Sequence, residues 1–86
     1  MKISSDDRKI LESWGCTEQD IKQIARAMSK TEFVYRGKRI SADEASALLG
    51  RRCFLSGMAR SAFHFSAGRE TDDGEMVYFD SSRFFK

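Results

Sequence analysis

The chain of 86 residues contains no proline, and it has only one histidine, one tryptophan and two cysteines. No proline-rich or low-complexity linker divides it, so we expect one domain over residues 1–86. Cys16 and Cys53 are too few for a disulfide framework and lack metal-ligand spacing. We therefore expect reduced thiols in a cytoplasmic protein.

Long apolar runs and cofactor motifs are also missing. No run approaches the roughly 18 residues that span a bilayer, and residues 1–7 lack the apolar segment of a signal peptide. The motifs for zinc, nucleotide phosphates, dinucleotides, calcium and serine hydrolases do not occur. The sequence predicts a protein without membrane association, metal or cofactor, and it disfavours an enzyme.

Charge is unevenly distributed, although the net value is only +2. Residues 36–69 carry seven basic and two acidic side chains, whereas residues 70–86 carry five acidic and two basic ones. A basic middle followed by an acidic end would either bind an anion or pair internally.

The first half of the chain predicts a helical hairpin. Ser4 or Ser5 would cap a first helix that ends near Gly15, and Thr17 with Asp20 resembles a capping box for a second helix to about residue 29. Their apolar edges would be Ile10, Leu11 and Trp14 in the first helix and Ile21, Ile24, Ala25 and Met28 in the second.

A short β-hairpin is expected next. A two-residue loop at 36–37 would pair Tyr35 with Lys38 and Phe33 with Ile40, which brings two apolar side chains together.

Two further helices follow. Ser41 and Glu44 would cap the third, which ends at Gly50 and faces Ala45, Leu48 and Leu49 inward. A central helix over about 52–66 would be packed from more than one side. Its apolar arc would consist of Phe54, Leu55, Met58, Ala59, Ala62, Phe63 and Phe65, and its small residues are Ser56, Gly57 and Ser61.

The chain would close with a second β-hairpin, which makes the fold class α+β. A turn at Asp73-Gly74 would pair Thr71 with Met76 and Arg69 with Tyr78. Residues 76–79 are apolar without alternation, so we expect that strand to be covered on both faces.

Four side chains form a candidate anion or ligand site: Arg51, Arg52, Arg60 and His64. Arg60 and His64 share one helix stripe with Cys53 and Gly57, opposite the apolar arc, and would hold a phosphate or carboxylate. The alternative is that Arg60 pairs with an acid of the last hairpin and His64 is an exposed or capped side chain. A dyad of Cys53 and His64 is excluded on a continuous helix, where the two are about 16 Å apart.

Two binding surfaces are also predicted, each with a structural alternative. A nucleic-acid surface would use Arg36, Lys38, Arg39, Arg51 and Arg52, unless these form a solvated face. A partner or homodimer surface would use Tyr78, Phe79, Phe84 and Phe85, unless these close the core. The helical hairpin has the length and the glycine-containing turn of a DNA-binding helix-turn-helix. Its second helix begins with Glu18, Gln19 and Asp20, however, and their negative charge would oppose docking on DNA phosphates.

Residues 40–80 resemble small uncharacterised proteins of bacterial phages and mobile elements, through Ile40–Ala45, Leu49–Arg51, Phe54–Gly57 and Arg60–His64. The resemblance implies a bacterial cytosolic accessory protein and transfers no activity or site residue. The leading hypothesis is a non-enzymatic protein-binding module. Nucleic-acid binding is the alternative, and a small enzyme using Arg60 and His64 is a third.

Overall fold

The computed structural model describes residues 2–86, which form an α+β fold as predicted. The helices are α1 (Ser5–Ser13), α2 (Glu18–Met28), α3 (Ala42–Leu49) and α4 (Arg51–His64). The strands are β1 (Glu32–Tyr35), β2 (Lys38–Ile40), β3 (Ser66–Glu70) and β4 (Met76–Asp80), and a 3-10 turn at Ser82–Phe85 follows them. Among residues 2–86, no helix has the length and apolar composition that crossing a bilayer requires.

Local hydrogen bonds start the first two helices where the sequence predicts. The Ser4 hydroxyl accepts from the Asp7 N–H while the Asp7 carboxylate accepts from the Ser4 N–H, and Thr17 and Asp20 repeat this arrangement. Aspartate therefore completes both capping boxes in place of the usual glutamate. Ser41 caps α3 by accepting from the Glu44 N–H.

The first hairpin has the predicted register. Phe33 pairs with Ile40 and Tyr35 with Lys38. Arg36 and Gly37 both have positive φ, at 52° and 75°, which is the two-residue loop whose twist matches that of the strands.

The four strands form one antiparallel sheet in the order β2-β1-β4-β3. Helix α4 is the central helix of the sequence prediction, because it contacts α1, α2, α3, β3 and β4. The rings of Phe33, Phe54 and Phe79 meet where α4 crosses the sheet, with centroids 5.2 to 5.7 Å apart. Around them the core contains Leu11, Ile21, Ile24, Ala27, Met28, Ala45, Leu55, Met58, Ala62 and Val77.

The buried face of α4 is rotated from the predicted arc. Gly57 and Ser61 are buried, as expected of small residues on a helix that is packed from more than one side, whereas Phe63 of the predicted apolar arc is 40% exposed. A Cβ at position 57 would lie 2.4 Å from Phe79 Cζ, so the glycine is what allows this close approach to the sheet. Similar small shifts bury Ala27 rather than Ala25 in α2 and leave Leu48 exposed in α3.

The predicted register of the second hairpin is wrong by one residue. Arg69 pairs with Val77 and Glu70 with Met76. The Thr71 N–H donates to the Glu75 carbonyl and the Gly74 N–H to the Thr71 carbonyl, so the loop has three residues and Gly74 takes its positive-φ position at 85°. An aspartate-glycine pair suits this longer loop as well as the two-residue one.

Strand β4 is covered on one face only, which corrects the expectation of two. Val77 and Phe79 point into the core, at 0% and 1% exposure. Tyr78, between them, is 58% exposed, and Asp80 is exposed on the same side. We call this uncovered side the open face of the sheet.

Candidate functional site

Arg51, a predicted anion ligand, is instead bound to a carboxylate of its own chain. Its Nε and Nη2 donate to the two oxygens of Asp7 at 2.7 and 2.5 Å, and Nη1 donates to Ser46 Oγ at 3.1 Å. Asp7 is 2% exposed. The bonds from Arg51 hold the pKa of Asp7 below its usual value, although burial opposes this. Through Asp7 of α1 and Ser46 of α3, this arginine of α4 links three helices.

Two more residues of the predicted nucleic-acid surface are paired with acids. Arg36 lies 3.1 Å from Asp73 of the second hairpin loop, and Arg39 lies 3.6 Å from Glu32. The basic middle and the acidic end thus pair in part with each other, as one of the two interpretations of the charge pattern predicts. Nucleic-acid binding stays a prediction, and Lys38 and Arg52 would carry it, because both are exposed and have no ion pair with the described residues.

The other two predicted anion ligands lie one helical turn apart on the exposed side of α4. Arg60 and His64 are exposed on the last two turns of α4, and within residues 2–86 neither side chain has a hydrogen bond or ion pair. Gly57, predicted on the same stripe, is buried against Phe79. Helix α4 is continuous from Arg51 to His64, so Cys53 cannot reach His64.

The aromatic residues near the C-terminus divide between core and surface. Phe79 is buried in the core, which corrects its place in the predicted partner surface, and Phe84 is half-buried against the core. Tyr78 and Phe85 are 58% and 37% exposed. For these two residues, a role in a partner surface stays a prediction.

Phe65 is also exposed and lies beside Phe85, although the sequence pattern placed it within the apolar arc of the central helix. It follows α4 directly with φ of 70° and ψ of −41°, and it is 56% exposed. Its ring lies 4.6 Å from that of Phe85, and its carbonyl accepts from the Ser81 N–H at 2.7 Å. Helix α3 ends at Gly50, whereas α4 ends at Phe65 without a glycine. The missing glycine is the feature of the sequence that could have indicated an unusual backbone conformation at Phe65.

Phe65 and Tyr78 line a groove of about 640 Å³ on the open face. They are its exposed aromatic residues, and its remaining lining consists of Ser66, Ala67, Gly68, the buried Phe79, Asp80 and Ser82. Gly68 pairs with Tyr78 and Ser66 with Asp80 across the β3–β4 ladder. The floor is therefore made of small residues, and the groove stays open between the rings.

Asp80 is the one charged residue that lines the groove in the described chain. Its Oδ1 accepts from the Ser82 N–H at 3.0 Å. The bonds from Ser82 lower the pKa of Asp80, and the nearby Lys86 adds to the effect. The groove thus presents a carboxylate that is ionised at neutral pH.

Both edges of the sheet are protected against pairing with another strand. On β3, Arg69 folds back over the edge, so that its Nη1 donates to the Gly68 carbonyl at 2.8 Å while Nε donates to Ser56 Oγ at 2.8 Å. On the other side, β2 has only three residues and carries Lys38 and Arg39. Short edge strands and charged residues are common ways to oppose edge-to-edge association.

Neither a metal-ligand cluster in the described residues nor a comparison with known proteins indicates a function. Among residues 2–86 no three metal-ligating side chains come together. No protein-family model matches the chain, and neither a curated protein nor a solved structure matches it.

Proposed function

We propose that this protein is a small non-enzymatic protein-binding module, and that its binding surface is the open face around Phe65, Tyr78 and Phe85. The observation that carries the proposal is that Phe65 and Tyr78, at 56% and 58% exposure, line a groove on the uncovered side of the sheet, while Phe85, at 37% exposure, packs against Phe65 beside it. Exposed aromatic clusters mark interaction surfaces, and aromatic residues dominate binding hot spots.

The backbone at Phe65 supports the same proposal. A bulky residue at positive φ costs about 1–3 kcal/mol, and such strain concentrates at functional positions. Here the strained conformation turns an aromatic ring outward rather than into the core, since Phe65 is 56% exposed.

The occupant that fits is a segment of a partner protein lying across the groove. Strand pairing with a second copy is opposed by Arg69 on one edge and by the short, basic β2 on the other. A bacterial cytoplasmic accessory protein, of the kind that the resemblance of residues 40–80 implies, would act through such a surface.

Selection from a displayed library of random 12-residue peptides tests the proposal. Peptides that bind the wild-type protein should bind Tyr78→Thr at least tenfold more weakly, which corresponds to about 1.4 kcal/mol. Trp14→Ser is the matched control, because Trp14 is an exposed aromatic residue outside the groove. Recovery of no peptide, or of peptides that bind Tyr78→Thr equally well, would contradict the proposed function.

A further inference from the structure

The groove combines an aromatic ring and a carboxylate at a fixed spacing. Tyr78 and Asp80 are two residues apart on β4, so both side chains project from the open face about 7 Å apart along the strand. On the β3 side, where the groove lies, their partners are Gly68 and Ser66, which are too small to fill the space above that strand. On the β1 side their partners are Val34 and Glu32.

We propose, on the basis of the proposed function, that the groove binds a lysine or arginine side chain of the partner segment, stacked on Tyr78 and paired with Asp80. A cation within about 6 Å of an aromatic centroid is attracted to the ring face. A carboxylate bonds the same cation at about 2.7–2.9 Å. The long apolar stem of lysine or arginine fits along the ring while its charged end reaches the carboxylate.

Other ligand chemistries fit the groove less well. An anion would be repelled by Asp80, whose bond from the Ser82 N–H favours the ionised form. A purely apolar side chain would take the carboxylate out of water without pairing it, which is unfavourable. A cationic side chain satisfies the ring and the carboxylate together.

Asp80 has no cationic partner at ion-pair distance within residues 2–86. Arg83, three residues on, lies 3.6 Å from Glu32 instead. Lys86 is close enough to lower the pKa of Asp80 but forms no ion pair with it. The carboxylate is thus available to a cation from outside the chain.

Two carboxylate variants and one peptide series test this inference. Each peptide whose binding is weakened by Tyr78→Thr is synthesised in two forms, one with its original lysine or arginine and one with glutamine at that position. Binding of both forms is measured by titration calorimetry. Asp80→Asn removes the charge but keeps an oxygen that accepts from the Ser82 N–H. Asp72→Asn is the control, because Asp72 is an exposed acid of the β3–β4 loop that does not line the groove.

We expect the recovered peptides to share a lysine or arginine. Replacing that residue by glutamine should weaken binding to the wild type about tenfold and should have little effect on binding to Asp80→Asn. Asp72→Asn should bind all peptides as the wild type does.

Two results would overturn the inference and leave the proposed function standing. The first is a set of Tyr78-dependent peptides without any basic residue, and the second is a basic peptide that Asp80→Asn binds undiminished. A set without Tyr78 dependence would instead overturn the proposed function and the inference together. A dimer in light scattering that Tyr78→Thr converts to a monomer would assign the groove to a second copy and overturn the peptide as its occupant.

Discussion

Arg51 and Asp7, 44 residues apart in the sequence, form a two-bond ion pair at 2.7 and 2.5 Å between the starts of α4 and α1. The same Asp7 carboxylate accepts from the Ser4 N–H and completes the capping box of α1. One buried carboxylate therefore secures both the start of a helix and its contact with the central helix.

Replacing Arg51 should destabilise the fold, because it leaves the buried Asp7 carboxylate without its charged partner. We expect Arg51→Ala to lower the free energy of unfolding by about 2–4 kcal/mol, measured by urea denaturation. Arg52→Ala is the matched control, and it should change the value by no more than about 0.5 kcal/mol because Arg52 is exposed. Equal effects of the two substitutions would contradict this account of the pair.

The same pair predicts how stability depends on pH. Arg51 lowers the pKa of Asp7 in the folded state. The contribution of the ion pair to the free energy of unfolding is therefore complete above the unfolded pKa of about 3.9, and it is lost as pH falls through the lower folded pKa. Asp7→Asn should be less stable than the wild type at pH 7. Urea denaturation from pH 7 to pH 2.5 should show the two proteins converging below about pH 4.

The pKa values of Asp73 and Asp80 are also lowered, but these groups are common to both proteins. The difference between the two pH profiles therefore isolates Asp7. Parallel profiles over this range would show that Asp7 is not stabilised by Arg51.

Gly57 should resist replacement although it lies within a helix. Alanine would gain about 1 kcal/mol in helix propensity, but its Cβ would lie 2.4 Å from Phe79 Cζ. Overpacking costs about 1–3 kcal/mol, so Gly57→Ala should unfold at lower urea concentration than the wild type. Adding Phe79→Leu should make the Gly57→Ala substitution less costly, because the smaller side chain frees the space. A stabilised Gly57→Ala protein would refute the close approach of α4 to the sheet.

Phe65 should matter more for binding than for stability. The substitution Phe65→Gly has opposing effects on stability. It relieves about 1–3 kcal/mol of backbone strain. It also removes the ring contact with Phe85, which contributes about 0.5–1.5 kcal/mol, and adds the entropic cost of glycine. We expect the free energy of unfolding to change by no more than about 1 kcal/mol, while peptides selected on the wild type lose most of their affinity. Phe65→Tyr should keep both properties. A loss of stability well above 2 kcal/mol would mean that Phe65 serves packing.

Nucleic-acid binding should be weak and only slightly dependent on salt. Of the five predicted contact residues, Lys38 and Arg52 alone have no ion pair with the described residues. Each phosphate contact adds about −0.9 to the slope of log K against log salt for duplex DNA. Fluorescence anisotropy with labelled DNA should therefore give a slope of about −2 or shallower. A slope of about −4 that falls in the Lys38→Ala, Arg52→Ala double variant would favour the nucleic-acid function instead.

Features that depend on a few neighbouring residues were predictable. Capping boxes, the loop at Arg36-Gly37 and the order of elements all follow from contacts within about four positions. The second hairpin shows the limit of such reasoning. Asp73-Gly74 fits two loop lengths, and the observed loop brings Arg69 opposite Val77, from where it reaches Ser56 of α4.

For the candidate site, the sequence placed Tyr78 and Phe85 at a partner surface, and both are exposed on or beside the open face. It also grouped Arg51 with three other anion ligands, yet Arg51 is bound to Asp7. Periodicity orders side chains around one helix, but it contains no information on which distant residue lies against each side.

By itself, then, the sequence determined the α+β class, the helix starts and the first hairpin, since these depend on local hydrogen bonds and on spacing. Tertiary packing decided which face of α4 is buried, that β4 is covered on one side, and that Phe65 turns outward beside Asp80. These outcomes depend on how closely helices and sheet approach each other. At the centre of the fold, α4 can lie against the ring of Phe79 because Gly57 has no side chain.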